Sequence, residues 1–223
     1  MNPIWQYESG PNGPENWHHL CEQFACGRDF PDQSPIELLE AQCVVDPEKI
    51  QLKFHYQRER FFAQRFNHAA HFVPPERESF VNYQGVRYVL SDIHFHTPGE
   101  HIIEKHSYPI ECHLVHTHEQ QNLVIGILLD LDEDRGLRLA DIEAGVNKGE
   151  FFFNPEMFLP ELLSYYQYEG SLTTPPTVGP IPWFVMSEPG LISNELYMEL
   201  QGDNGHNNRP IQPLNGRKVY FVE

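Results

Sequence analysis

The 223-residue chain has little positive charge: 15 Lys and Arg stand against 32 Asp and Glu, for a formal charge of -17. A protein that tracks phosphates needs the opposite sign, so nucleic acid is not an expected partner, and neither is an anionic membrane. The acidity reads as a solvated surface. No stretch of about 18 apolar residues occurs, which excludes a helical membrane span. There is also no internal repeat, low-complexity tract or linker. No signal-peptide pattern opens the chain, because Met1-Asn2-Pro3-Ile4-Trp5 leads straight into aromatic sequence. A cytoplasmic protein is expected if Met1 is native, and a periplasmic or extracellular one if the sequence is a mature form. Cysteine is scarce too. Cys21, Cys26, Cys43 and Cys112 form no C-x-x-C pair, so a structural zinc knuckle is not indicated.

What is present is histidine, 13 residues of it, and short β-forming runs. Strands are expected at Gln51–Tyr56, Val86–His96, Ile110–Thr117, Leu123–Leu129 and Trp183–Met186, with a last one at Lys218–Val222. Leu123–Leu129 is apolar on both faces and reads as a central, doubly buried strand. Residues 1–35 and 170–182, rich in Pro and Gly, read as irregular. Helices are expected over Leu139–Gly145, over Pro155–Tyr165 behind an Asn154 cap, and over Glu195–Leu200. The result is one mainly β domain over residues 1–223, α+β only by its count of short helices.

His94 and His96 are two apart, so on a strand both rings project from one face. His113 lies in the next β run and can pair beside them. Three imidazoles with no fourth protein ligand is the donor count of a catalytic zinc site with an open position. Glu111, two before His113, and Asp92, two before His94, share faces with those rings and are expected to accept from them, because a ligand histidine needs its second nitrogen held. Cys112 alternates away from His113 and reads as a small buried hydrophobe.

Several separated motifs then match one pattern. They are Trp5-x-Tyr7, Gly13-Pro14-Glu15-Asn16-Trp17, Gln33-Ser34-Pro35, the His94-x-His96 run with Gly99-Glu100-His101, Glu111-Cys112-His113, Ser171-Leu172-Thr173-Thr174-Pro175-Pro176 and Arg209-Pro210-Ile211-Gln212-Pro213-Leu214. In this order they resemble the α-class carbonic anhydrases across nearly the whole chain. The resemblance implies a large twisted, mostly antiparallel sheet with Zn2+ at the base of a conical cleft. It implies a lyase that hydrates CO2 to bicarbonate and a proton by attack of zinc-bound hydroxide, and that is inhibited by sulfonamides and anions at the metal. It leaves a monomer or a homodimer open.

Residue by residue, the resemblance makes His94, His96 and His113 the metal ligands and Asp92, Glu111 and Asn207 their supports, Asn207 through its backbone carbonyl. Asp92 departs from the glutamine of well-known animal members. Thr173 and Glu100 become the pair that orients the nucleophile. Val115, Val124, Leu172 and Trp183 become an apolar wall for CO2, with Thr174 and Asn67 as polar pocket residues and Tyr7 ordering water. The proton-shuttle segment aligns poorly, and His71 and His68 are its candidates, each with an ordinary pKa near 6.5. His101 and His116 are expected to be hydrogen-bonded rather than metal-bound. Thr177 stands where many bacterial and secreted members carry a bridged cysteine, so that bridge is absent, and a Cys21–Cys26 bridge remains open. Two other readings are a cupin-like oxygenase, from His94-x-His96-x-x-x-Glu100, and a carbonic-anhydrase-like binding module without activity.

Overall fold

A computed structural model describes residues 4–45, 51–66, 68–201 and 205–223. Its framework is a 14-stranded mixed sheet. From one edge the strands run Glu143–Ala144, Glu150–Phe153, Glu59–Phe66, Ala69–Val73, Val86–His96, Ile110–His118, Gln121–Leu131, Ile181–Met186, Tyr165–Gly170, Tyr220–Val222 and Val44–Val45. Lys53–His55 and Phe80–Tyr83 extend the sheet beside Val86–His96, and Gly190–Ile192 pairs with Gln121–Leu131. Most pairings are antiparallel. Parallel ones occur where Gln121–Leu131 meets Ile181–Met186 and Gly190–Ile192, and where Tyr220–Val222 meets Val44–Val45. The path has two free ends and does not close into the jelly-roll barrel of the cupin alternative.

The strand Gln121–Leu131 is central. Residues Leu123 to Leu129 are all buried, with Leu123, Ile125, Ile127 and Leu129 in one apolar cluster and Val124 and Leu128 in another. These clusters are the two faces of the sheet. The second holds Trp183, Tyr168, Tyr166 and Ile36, and it packs beside the histidines.

Two expected helices are corrected. Leu139–Asp141 is one 3-10 turn, after which Glu143–Ala144 pairs with Phe151 and Phe152 as a strand. Pro155–Phe158 is likewise one 3-10 turn, with the Asn154 side chain accepting from Glu156 N. Pro160 stops it: proline has no N–H to continue the turn and drives the preceding residue out of helical geometry, and Leu159 is extended at ψ 143°. Tyr165 already belongs to a strand. Asn194–Gln201 is the α-helix expected near there, and residues Pro14–His19 and Glu22–Asp29 form 3-10 turns within the irregular amino-terminal segment. Strands at Glu59–Phe66, Ala69–Val73, Phe80–Tyr83, Glu150–Phe153 and Tyr165–Gly170 were not expected from the sequence. All four cysteines are free, so Cys21 and Cys26 are not bridged.

Candidate metal centre

The two histidine strands pair antiparallel with His94 opposite His113 and His96 opposite Glu111. Their phase depends on a bulge. Leu90 pairs with His116 but Asp92, not Ser91, pairs with Val115. A bulge inserts one residue and re-aims those that follow. Tyr88 and Leu90 therefore face one side of the sheet with the apolar core, and Asp92, His94 and His96 face the other.

On that face His94, His96 and His113 bring one nitrogen each to within 4.8 Å of one another. The remaining nitrogens are engaged. His94 Nδ1 donates to Asp92 Oδ2 at 2.6 Å, His96 Nδ1 to the Asn207 carbonyl at 2.7 Å, and His113 Nε2 to Glu111 Oε1 at 2.8 Å. This leaves Nε2 of His94, Nε2 of His96 and Nδ1 of His113 for a metal. His96 Nε2 is buried with no hydrogen-bond partner among the described residues. A buried polar atom without a partner is costly, and a bound cation removes that cost. Burial pushes the His96 ring down to about 3, and burial pushes His113 down to about 4 against the pull of Glu111. Both are neutral at pH 7, the state a ligand requires. Three imidazoles with an open fourth position fit zinc.

Glu111 is fully buried and accepts four hydrogen bonds. Oε1 takes them from His113 Nε2 and, at 2.6 Å, His101 Nδ1; Oε2 takes them from the backbone N–H of Glu100 at 2.7 Å and of His101 at 2.8 Å. Burial alone would raise this carboxyl, but the two histidines outweigh it and hold it well below the usual range. From His101 the chain of bonds continues outward. Tyr168 Oη donates to His101 Nε2 at 2.7 Å and lies 2.9 Å from Ser34 Oγ. Ser34 and Ser171 each donate a backbone N–H to the other's hydroxyl, at 3.0 and 3.1 Å. Trp183 Nε1 donates to the Ser171 carbonyl. The loop that carries Leu172, Thr173 and Thr174 is thus tied to the histidine cluster through buried groups. Ser34 stood in a motif without a role in the sequence, and Tyr168 carried no sequence signal at all.

Gly126 makes room for this. It sits opposite His113 on the next strand, and a Cβ there would come within 2.9 Å of Glu111 Oε1. A lone glycine inside an apolar strand run marks such a close approach. Gly126→Ala is expected to displace the carboxylate, lower stability by about 1–3 kcal/mol and loosen metal retention, measured by urea denaturation and by metal content after dialysis.

Glu100 is buried, with Oε1 accepting from Arg209 N at 2.7 Å. Burial raises its pKa, while His113, the Arg209 N–H and the Thr173 hydroxyl act against that. Among the described residues Oε2 has no partner at full hydrogen-bond geometry. Thr173 is buried, and Thr174 beside it is half-buried. Val124 pairs with Val115 on one side and Trp183 on the other, and all three join Leu172 in the apolar cluster on the histidine face. The Trp183 ring lies 5.0 Å from that of His113. The Tyr7 hydroxyl is buried without a partner among the described residues, and its pKa is raised by burial and by Glu100. His116 donates from Nδ1 to the Leu114 carbonyl and meets Tyr56 Oη at 3.0 Å.

The two shuttle candidates separate. His68 is exposed at the hairpin tip, its Nε2 donating to the Trp5 carbonyl at 3.0 Å and its ring edge-on to Trp5 and Tyr7. His71 is 5% exposed, is covered by the stacked Phe66 ring 3.6 Å away, and donates from Nδ1 to Asp92. Burial sets it apart from the exposed His68. Asn67 lies outside the described residues.

Comparison with known proteins agrees with this geometry. Residues 12–223 match the family model described as eukaryotic-type carbonic anhydrase. The chain is 32% identical over 225 residues to a carbonic anhydrase of Neisseria gonorrhoeae, covering 96% of this chain and 86% of the relative. It is 31% identical over 231 residues to dioscorin DB3L of Dioscorea polystachya, covering 96% and 84%. Among solved structures, the α-carbonic anhydrase of Thermovibrio ammonificans, determined with the inhibitor sulfanilamide, superposes with a TM-score of 0.85 at 30% identity over 99% of this chain and 100% of that one.

Proposed function

Because the chain belongs to the α-class carbonic anhydrases and so catalyses the reversible hydration of CO2 to bicarbonate and a proton, we propose how its own residues divide that work. His94 Nε2, His96 Nε2 and His113 Nδ1 would hold zinc, at the base of a conical cleft. The bare, buried His96 Nε2, beside two rings whose other nitrogens are already engaged, is the observation that carries this reading. When bound, zinc lowers the pKa of a coordinated water from about 15.7 to about 7, which makes hydroxide available at neutral pH.

Thr173 donates its hydroxyl hydrogen bond to the Glu100 carboxylate, whose other oxygen accepts from the Arg209 N–H. The Thr173 oxygen is then an acceptor only, and it aligns a protonated nucleophile toward the substrate. CO2 is uncharged and rests on Val115, Val124, Leu172 and Trp183, while Thr174 offers a polar contact to bicarbonate. Asp92, Glu111 and the Asn207 carbonyl fix the three imidazoles.

The product proton leaves along water ordered by Tyr7 and is relayed by His68, which has the exposure the task needs. His68→Ala is expected to slow CO2 hydration about tenfold or more in weak buffer and to recover on adding imidazole, in stopped-flow assays. Metal analysis tests the reading as a whole. Purified protein is expected to hold about one zinc per chain and to bind a sulfonamide only while loaded. Iron or manganese in its place, or zinc-loaded protein without activity, would count against it.

A further inference from the structure

We propose that His71 is a positioning residue for the metal centre: by gripping Asp92 it fixes the carboxylate that orients the His94 ring. The inference rests on the zinc reading above. The supports of the three ligand rings show why it is needed. Each ring donates to an acceptor, and each acceptor must itself be held. The acceptor for His96 is the backbone carbonyl of Asn207, fixed by the chain, and the Asn207 side chain is bonded to Thr97 N and to the Phe95 carbonyl. The acceptor for His113 is Glu111, held by His101 Nδ1 and two backbone N–H groups. The acceptor for His94 is Asp92. Among the described residues its hydrogen-bond donors are the His94 ring and His71, with no backbone N–H among them. His71 does for Asp92 what His101 does for Glu111.

The geometry suits that role. His71 lies on Ala69–Val73, directly opposite His94 in the antiparallel register, so the two rings share a face. Their centroids are 4.9 Å apart. His71 Nδ1 reaches both carboxylate oxygens, at 3.0 and 2.9 Å, and the nearer one, Oδ2, also accepts from His94 at 2.6 Å. A carboxylate can only accept, so each ring carries its proton on Nδ1, which leaves His94 Nε2 bare. His71 is itself immobilised, buried in a strand and stacked under Phe66 at 14°. Among the described residues its Nε2 is buried and has no partner at full hydrogen-bond geometry, while Nδ1 is spent on Asp92. The same His71, Asp92 and His94 atoms also lie close enough for a second cation. The 2.6 to 3.0 Å separations are hydrogen-bond distances, and a second cation would have to strip the Nδ1 proton from His94.

The test is the rate at which zinc-loaded protein releases metal to excess dipicolinate, for wild type, His71→Ala, His71→Asn, Asp92→Ala and the His71→Ala/Asp92→Ala double variant. His71→Ala is expected to release zinc about tenfold faster, at the low end of what outer supports of metal ligands contribute. His71→Asn, which keeps an N–H for Asp92, restores much of the loss. In the Asp92→Ala background, removing His71 adds less than about twofold, the signature of two residues acting as one unit. Release from His71→Ala at the wild-type rate, or an equal acceleration in both backgrounds, overturns the proposal and leaves His71 a packing residue. If His71→Ala does not fold, His71→Asn against His71→Leu reads the same contrast. A wild type that binds two zinc ions and loses the second with His71 also overturns it. A wild type that retains no zinc defeats the metal reading itself, whereas tight zinc with no effect of His71 defeats only this inference.

Discussion

Glu100→Gln is expected to leave zinc bound and to lower the CO2 hydration rate by about two to three orders of magnitude, the range seen when one preorganised hydrogen bond to the reacting atoms is lost. The two side chains have nearly the same shape, so the effect isolates hydrogen-bond polarity. With Glu100, one oxygen accepts from the Arg209 N–H at 2.7 Å and the other is free to accept the Thr173 proton. With glutamine, the amide oxygen keeps the Arg209 contact and the NH2 turns toward Thr173. Thr173 must then accept from the amide and donate toward the cleft, where it meets a proton instead of supplying a lone pair. Metal retention is a separate matter, because none of the three acceptors that hold the ligand rings is altered. Stopped-flow hydration rates together with zinc content would check both halves. Loss of zinc along with activity would reassign Glu100 to the support of the ligands.

Glu111→Gln is expected to have the largest effect on the fold and to weaken zinc binding as well. All four bonds to this carboxylate come from donors, two on each oxygen, at 2.6 to 2.8 Å. An amide satisfies two of them at most and sets its own N–H groups against either two ring N–H groups or two backbone N–H groups. The site is fully buried, so water cannot repair the mismatch. Breaking one side of a buried charged network costs about 3–5 kcal/mol, a large part of the roughly 5–15 kcal/mol by which a domain is stable. Urea denaturation of the metal-free protein measures that loss. The variant should also bind zinc about 10–100-fold more weakly, because the His113 ring is no longer held. A metal-free Glu111→Gln protein as stable as wild type would mean that the network adds nothing to the fold.

Glu111 and Asp92 also show how much could be read from the sequence. Period-two alternation within one strand was enough to pair each carboxylate with its histidine, because that relation is local. The burial of Leu123–Leu129 on both faces was legible for the same reason. Features that depend on contacts between strands were not. The bulge at Ser91 reverses the face of Val86–His96 halfway along, and it shows only when Leu90 and Asp92 are seen to pair with His116 and Val115. Ala69–Val73 is short, and nothing local reports that it sets His71 opposite His94. The link from Glu111 through His101 and Tyr168 to Ser34 joins residues up to 134 positions apart. Gly126 was the exception, a glycine inside an apolar run whose reason could have been sought in a close neighbour. The helix expected over Pro155–Tyr165 failed on a local ground that the sequence did contain, Pro160, whereas Glu143–Ala144 is a strand through its pairing with Phe151 and Phe152, which nothing local reports.

The most direct measurement is the CO2 hydration rate of the chain stripped of metal and then titrated with zinc, followed by stopped flow at neutral pH. The account predicts no catalysis above background in the stripped protein, activity rising linearly to about one equivalent of zinc, and its abolition by a sulfonamide. Full activity in metal-free protein, or a zinc-saturated protein with no hydration activity, would contradict it.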